Sequence, residues 1–370
     1  VQFSQQARSY TLVALLILLA LWGVVQIAKA TDQPGDESRQ DLRLAWIAYV
    51  GGTLLAMLVH NSALMWLLAA NLSAIGIGWR QRRGRTRFVR LWLAAQAGII
   101  GIWLPSFLAM LPYLEKAATS IAWIPPATFA SILAATKSVY LFRVSDSVMY
   151  ELGPRGVPGL GIAMILLAGA GLWRLRRQPA TLIVLLAALL VLPFGLLLAS
   201  LYEPIFLPRY LLWAAPPLFI LAGLGLAWIP DRAVAPAIIV LALGLAWNLR
   251  PYYAFESKPR WDLVARNIAD HARPGDVVMV RNINSRMVYK FYRDRYGPDV
   301  AAVPRVLELN EASQAMIQGH AVWAILGRSG FGQLMTVQAY LDEAAVLGPP
   351  ARTERFGAHI TLFRFDPPGG

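Results

Sequence analysis

The chain has 370 residues, of which 57% are hydrophobic and 15% charged, with a formal net charge of +13 and no cysteine. A soluble domain carries about 25% charged residues, so one globular soluble fold is excluded, and so are disulfides and thiolate metal sites. The deficit is uneven: residues 1–249 hold 9 of the 21 acids and residues 250–370 hold the other 12, which divides the chain into an apolar part and a soluble domain.

Tyr10–Ala28 is a continuous apolar run, long enough to span a bilayer. Lys29–Arg43 is polar, broken by Pro34-Gly35. Leu44–Trp79 is apolar for about twice the spanning length, so it folds back as a helical hairpin with His60-Asn61-Ser62 at its tip. Arg80, Arg82, Arg83, Arg85, Arg87 and Arg90 then form a basic loop before the next span, Leu91–Pro112. Tyr113–Pro158 mixes charges with Pro125-Pro126, and within it Ala127–Leu141 has the spacing of a helix lying in the membrane interface. Leu160–Trp173 and Ala180–Leu201 are further spans, joined through Arg174, Arg176 and Arg177. Leu211–Trp228 and Ala233–Trp247 follow, joined through Asp231-Arg232. The expectation is a polytopic α-helical membrane protein with about eight spans over 1–249. Because the chain starts at Val1 with no basic n-region or cleavage site, the start is expected to lie inside a longer chain.

Cytoplasmic loops carry the excess of Lys and Arg. Placing residues 80–90 in the cytoplasm also puts 174–177 and 231–232 there. The 29–43 loop joins them despite its four acids, because acids count little in this rule. The other side receives residues 1–9, His60, the 113–158 loop, 202–210 and everything after 248. Topology accounts for the basic charge, and nucleic acid is not an expected partner.

In 250–370, a helix over Leu263–His271, a strand over Val277–Val280, a helix over Met287–Tyr296, a strand over Ala321–Leu326, a helix over Phe331–Ala345 and a strand over His359–Phe365 predict a small α/β domain. Gly327-Arg328-Ser329-Gly330-Phe331-Gly332 lacks the P-loop lysine and the dinucleotide spacing, so a tight turn is expected there.

Mid-span polar residues are few. Gln96 and Asn71 stand out, and hydrogen bonding between helices accounts for them. The near-absence of charge at membrane depth argues against a proton-coupled carrier or pump. Polar residues collect instead at the outer ends: Ser4 to Tyr10, His60-Asn61, Lys137 to Glu151, and Tyr202 to Tyr210. Arg8 and Arg209 each stand just outside an inward-running helix, each with a tyrosine close behind. Two readings stand for them: a fork that grips a phosphate with two hydrogen bonds, or a snorkelling side chain that fixes the helix end. The four histidines have no metal-ligand spacing; no cofactor is expected, and the need for a divalent metal stays open.

These stretches resemble a family. Ser4-Gln5-Gln6-Ala7-Arg8-Ser9-Tyr10 is similar to the Ser-Gln-Glu-Ala-Arg-x-Tyr stretch of bacterial C-type (GT-C) membrane glycosyltransferases of the protein mannosyltransferase and aminoarabinose transferase clan. His60 resembles their Thr-His-Tyr element, and Pro208-Arg209-Tyr210-Leu211 with Ala215-Pro216-Pro217 resembles their Arg-Tyr-Leu…Pro segment. Arg260-Trp261-Asp262 with Pro274-Gly275-Asp276 resembles the start of their periplasmic domain. The resemblance implies a GT-C-like fold in the bacterial inner membrane with a periplasmic C-terminal domain. It also implies sugar transfer from a polyprenyl-phosphate donor to a lipid, glycan or protein acceptor. Arg209 and Arg8 would bind the donor phosphate, Tyr210 and His60 would line the site, and Lys137 would assist. Glu203 would orient Arg209 or sit among the headgroups. The family's catalytic acid lies N-terminal to the matching stretch, so the catalytic residue is unassigned, and Gln6 stands where the family often has Glu. Two other classes compete with this reading: a transporter or flippase, and a membrane anchor displaying the C-terminal domain as a binding module.

Overall fold

The computed structural model describes residues 9–32, 39–81, 84–113, 124, 126–143, 156–254, 260–280, 283–296, 305–307, 309–327, 337–357 and 360–367. The chain divides into two units, Val1–Pro251 and Tyr252–Gly370.

The first unit is helical: α1 Tyr10–Asp32, α2 Arg39–Val59, α3 Ala63–Arg80, α4 Arg85–Met110, α5 Phe129–Tyr140, α6 Leu160–Leu175, α7 Pro179–Ala199, α8 Ala215–Leu226 and α9 Asp231–Ala254. Among the described residues, seven spans are long and apolar enough to cross a membrane: α1 to α4, α7, Pro208–Leu226 and α9. The eighth expected span, α6, has 16 residues, a length of about 24 Å at 1.5 Å per residue against a hydrocarbon core of about 30 Å. It starts behind Gly159, whose φ is 75°, and stops at the Arg176 turn.

The span expected over Leu211–Trp228 is present as Pro208–Leu226, a 3-10 helix, Pro208–Ala214, that runs on into α8. Pro216 and Pro217 have no N–H to give to the turn before them, so an α-helical ladder cannot run through this point. That break presents Arg209 and Tyr210 at the end of the bundle.

Helices in lipid gain nothing from burying apolar surface against each other, so close backbone approach through small residues holds them. In α1–α2, a Cβ at Gly23 would meet Ala45 and Tyr49, and one at Gly52 would meet Leu16 and Ala20. In α6–α8, a Cβ at Gly171 would strike the Leu221 carbonyl and one at Gly225 the Leu167 carbonyl. The mid-span polar residues pair between helices as expected: Trp92 Nε1 donates to Asn71 Oδ1 at 2.9 Å, and Gln96 Nε2 donates to the Tyr49 hydroxyl.

The two ends of the bundle are distinct. Asp32, ending α1, accepts the backbone N–H groups of Ala180 and Thr181 at 3.1 and 3.0 Å, capping α7 from another helix. At the opposite end, Asn61 Nδ2 meets Met110 Sδ at 3.5 Å, joining the α2–α3 turn to the end of α4. Buried Asn248 of α9 donates to the Leu141 carbonyl at 2.7 Å and accepts the Val157 N–H at 3.2 Å. It thereby fastens the chain after α5 and the chain before α6 to α9.

The second unit is an α/β sandwich: α10 Trp261–His271, β1 Val277–Val280, α11 Ile283–Tyr296, β2 Arg305–Leu307, α12 Leu309–Ile317, β3 Val322–Gly327, α13 Val337–Glu343, a 3-10 turn Ala344–Leu347, β4 Arg352–Phe356 and β5 Ile360–Phe365. The strand order is β2-β1-β3-β5-β4, with β1, β2 and β3 parallel and β4 and β5 antiparallel. Alternate residues face opposite sides of a strand. Val278, Val280, Trp323 and Ile325 pack on α10 and α11, while Val277, Met279, Val322 and Ala324 pack on α12, α13 and the 3-10 turn. Covered on both faces, β1 is buried throughout.

Three elements here escape the sequence pattern: β2, α12 and β4. β2 is only three residues long, and β4 alternates at an exposed edge. Of the helix expected over Phe331–Ala345, the described part is Val337–Glu343, which tightens into the 3-10 turn Ala344–Leu347; residues 331–336 lie outside the described residues. The Gly-rich stretch begins at the end of β3, and its residues 328–332 are also outside them. Arg260 Nη2 pairs with Asp262 Oδ2 at 2.8 Å across Trp261, which is buried under the sheet. Asp276 takes the N–H groups of Arg273 and Ala321 and the Trp323 indole N–H. Both stretches that resemble the family's C-terminal motif therefore build the domain itself.

Candidate functional site

The start of α1, the α2–α3 turn and the 3-10 helix before α8 meet at one end of the bundle. The His60 ring lies 5.1 Å from the Tyr10 ring and 5.9 Å from the Tyr210 ring, and the two tyrosine rings are 5.8 Å apart. The Arg209 guanidinium carbon is 5.8 Å from the Tyr10 ring centre and 5.5 Å from that of Tyr210. Both distances are within cation–π range. Two aromatic faces thus hold a group that is charged at every physiological pH.

His60 has its own local geometry. Its Nδ1 accepts the Ser62 backbone N–H at 3.1 Å and lies 2.9 Å from the Ser62 hydroxyl. Burial first, and then the charge of Arg209, holds its pKa below the ordinary value of 6.5. It is a neutral imidazole set beside a permanent cation. A guanidinium, two phenols and a neutral imidazole, partly shielded from water, suit an anion. None of the four is a carboxylate, so the cluster binds and orients and supplies no acidic base.

Of the expected residues, His60, Arg209 and Tyr210 come together. Lys137 is on α5, which packs against the 3-10 helix that carries Arg209. Glu203 is exposed in the turn after α7, and the contacts that gather the cluster do not include it. Arg8 lies outside the described residues. Tyr10 belongs to the cluster although the sequence pattern gives it no separate role; its signal is the tyrosine following each of the two arginines. Arg143, buried beside Gly156 and Asn248, is likewise visible in the sequence only as one charge in a mixed loop. Among the described residues, no three His, Asp or Glu stand together as a metal site.

The chain matches no family model and no curated protein sequence. Among solved structures it is similar to the crystal structure of ArnT from Cupriavidus metallidurans in the apo state. That match covers 96% of this chain and 78% of that one, with 15% identity and a TM-score of 0.45.

Proposed function

We propose that this protein is a GT-C-type glycosyltransferase of the bacterial inner membrane. It transfers a sugar from a polyprenyl-phosphate-linked donor to a lipid, glycan or protein acceptor on the periplasmic face, where its C-terminal domain also lies. One observation carries the reading: three stretches that each resemble a segment of that family meet in space at Tyr10, His60 and Arg209-Tyr210.

The leaving polyprenyl phosphate gains negative charge as the glycosidic bond breaks. A cation already fixed at that point stabilises the transition state more than the donor ground state. Arg209 is assigned the donor phosphate, with Arg8 as its second ligand. His60 and Tyr210 line the phosphate site, and Lys137 adds positive charge from α5. Exposure of Glu203 favours a place among the headgroups over a role in orienting Arg209.

The test is transfer from a polyprenyl-phosphate sugar by the full-length protein. Arg209→Ala is expected to lower turnover by about a hundredfold, the cost of losing one charge-stabilising donor. Arg209→Lys recovers only part of it, because an ammonium keeps the charge and loses the fork. Wild-type turnover in Arg209→Ala would sink the proposal.

A further inference from the structure

The far end of the bundle carries a second feature. α3 and α4 part to leave a cavity of about 320 Å³, open where its lining residues Ile75, Trp79 and Leu93 are exposed. Its walls are Ala74, Gly78, Trp79, Val89 and Leu93, and its floor is Phe88 and Trp92. The floor is rigid: Trp92 stacks on Tyr49 at 4.6 Å and meets Trp46 at 5.9 Å. Asn71, tied to Trp92, closes the inner end, and Arg85 stands at the mouth.

Length and charge name the occupant. From Asn71 to Trp79 is eight residues of helix, about 12 Å, close to the apolar depth of one leaflet, about 15 Å. Arg85 lines the cavity, and Arg80, Arg87 and Arg90, at the same ends of α3 and α4, are exposed; among the described residues none of the four is in an ion pair. Residues 80–95 contain no acid. Trp79, 81% exposed, stands at the same level, as interfacial tryptophans do. We infer that the α3–α4 groove is a binding site for an anionic glycerophospholipid, with one acyl chain against Phe88 and Trp92 and the phosphate headgroup held by Arg85 and its neighbours. The site belongs to the leaflet opposite the Arg209 cluster and stands independently of the proposed transfer activity.

The experiment is native mass spectrometry of the full chain in nonionic detergent, titrated with dioleoyl-phosphatidylglycerol or dioleoyl-phosphatidylcholine. The wild type is expected to retain one phosphatidylglycerol at concentrations where phosphatidylcholine is lost. Arg85→Ala should cut the preference for phosphatidylglycerol about fivefold, the usual contribution of one arginine near an anionic headgroup. Gly78→Leu should reduce retention of both lipids, since a Cβ there already meets the Phe88 ring at 3.6 Å and a longer chain fills the groove. An unchanged preference in Arg85→Ala overturns the headgroup assignment even if Gly78→Leu fails to fold. Unchanged retention in a folded Gly78→Leu, or a dimer in place of the lipid adduct, overturns the groove as the lipid's seat.

Discussion

The Ser62 backbone N–H donates to His60 Nδ1 at 3.1 Å. A backbone amide can only donate, so Nδ1 carries no proton and the neutral ring keeps it on Nε2. Protonating His60 must break this bond and place a second cation beside Arg209. Because its folded pKa is lowered, His60 contributes stability that is complete above the ordinary value and lost as pH falls from there towards the lowered one. Thermal midpoints in detergent should therefore decline on acidification below 6.5. His60→Gln should flatten that decline, and Arg209→Gln should shrink it. Parallel curves for all three proteins would remove His60 as the group responsible.

Asp32 caps a helix that is not its own. Asp32→Ala leaves the N–H groups of Ala180 and Thr181 without their carboxylate and should cost about 1 kcal/mol. A lowered thermal midpoint with the proposed transfer activity unchanged is the expected result, since the cap and the Arg209 cluster lie at opposite ends of α1. Loss of transfer without loss of stability would contradict it.

Gly171→Leu drives a side chain into the Leu221 carbonyl. Overpacking of this kind costs about 1–3 kcal/mol, and here it separates α6 from α8. Gly169, two residues away on the same helix, faces open space: a Cβ there would have nothing within 4 Å. Gly169→Ala should therefore be neutral or slightly stabilising through helix propensity. The pair of variants, compared by thermal unfolding, separates a packing requirement from a general sensitivity of α6.

Asp276→Ala orphans two backbone N–H groups and the Trp323 indole N–H, two of these hydrogen bonds being buried. Each unsatisfied buried donor costs about 1–3 kcal/mol, so the second unit should open first in this variant. Hydrogen exchange on the full chain reads this as faster exchange over β1 and β3 with α1 to α4 unchanged.

The Arg260–Asp262 pair holds the Asp262 carboxyl below its usual value, mainly through the hydrogen bond from Arg260. Both side chains are partly exposed, so the pair adds little. The burial of Trp261 between them is what that stretch contributes to the domain.

How much was legible follows from period and length. Apolar runs such as Tyr10–Ala28 and the doubled run over Leu44–Trp79 can only be helices in a membrane, because no other open backbone satisfies its own polar groups there. The His60 turn, the basic end at Arg80–Arg90 and the buried strand Val277–Val280 follow from the same local patterns. Short or exposed elements leave no such pattern, so β2 and β4 emerged only from their partners in the sheet. The break at Ala214–Ala215 was written in Pro216-Pro217, yet its consequence needed the three-dimensional path.

The sequence by itself determined that this protein crosses a membrane, where its arginines and aromatics concentrate, and that an α/β domain follows. Only the tertiary structure decided which of those residues meet. Tyr10, His60 and Arg209 are separated by 50 and 149 positions in the chain, and their meeting depends on helix packing through Gly23, Gly52 and Gly171. The same packing leaves α3 and α4 apart beside Arg85. Local pattern fixes which face of a helix is apolar, but the approach of one helix to another depends on side chains from both, and no single stretch of chain contains that information.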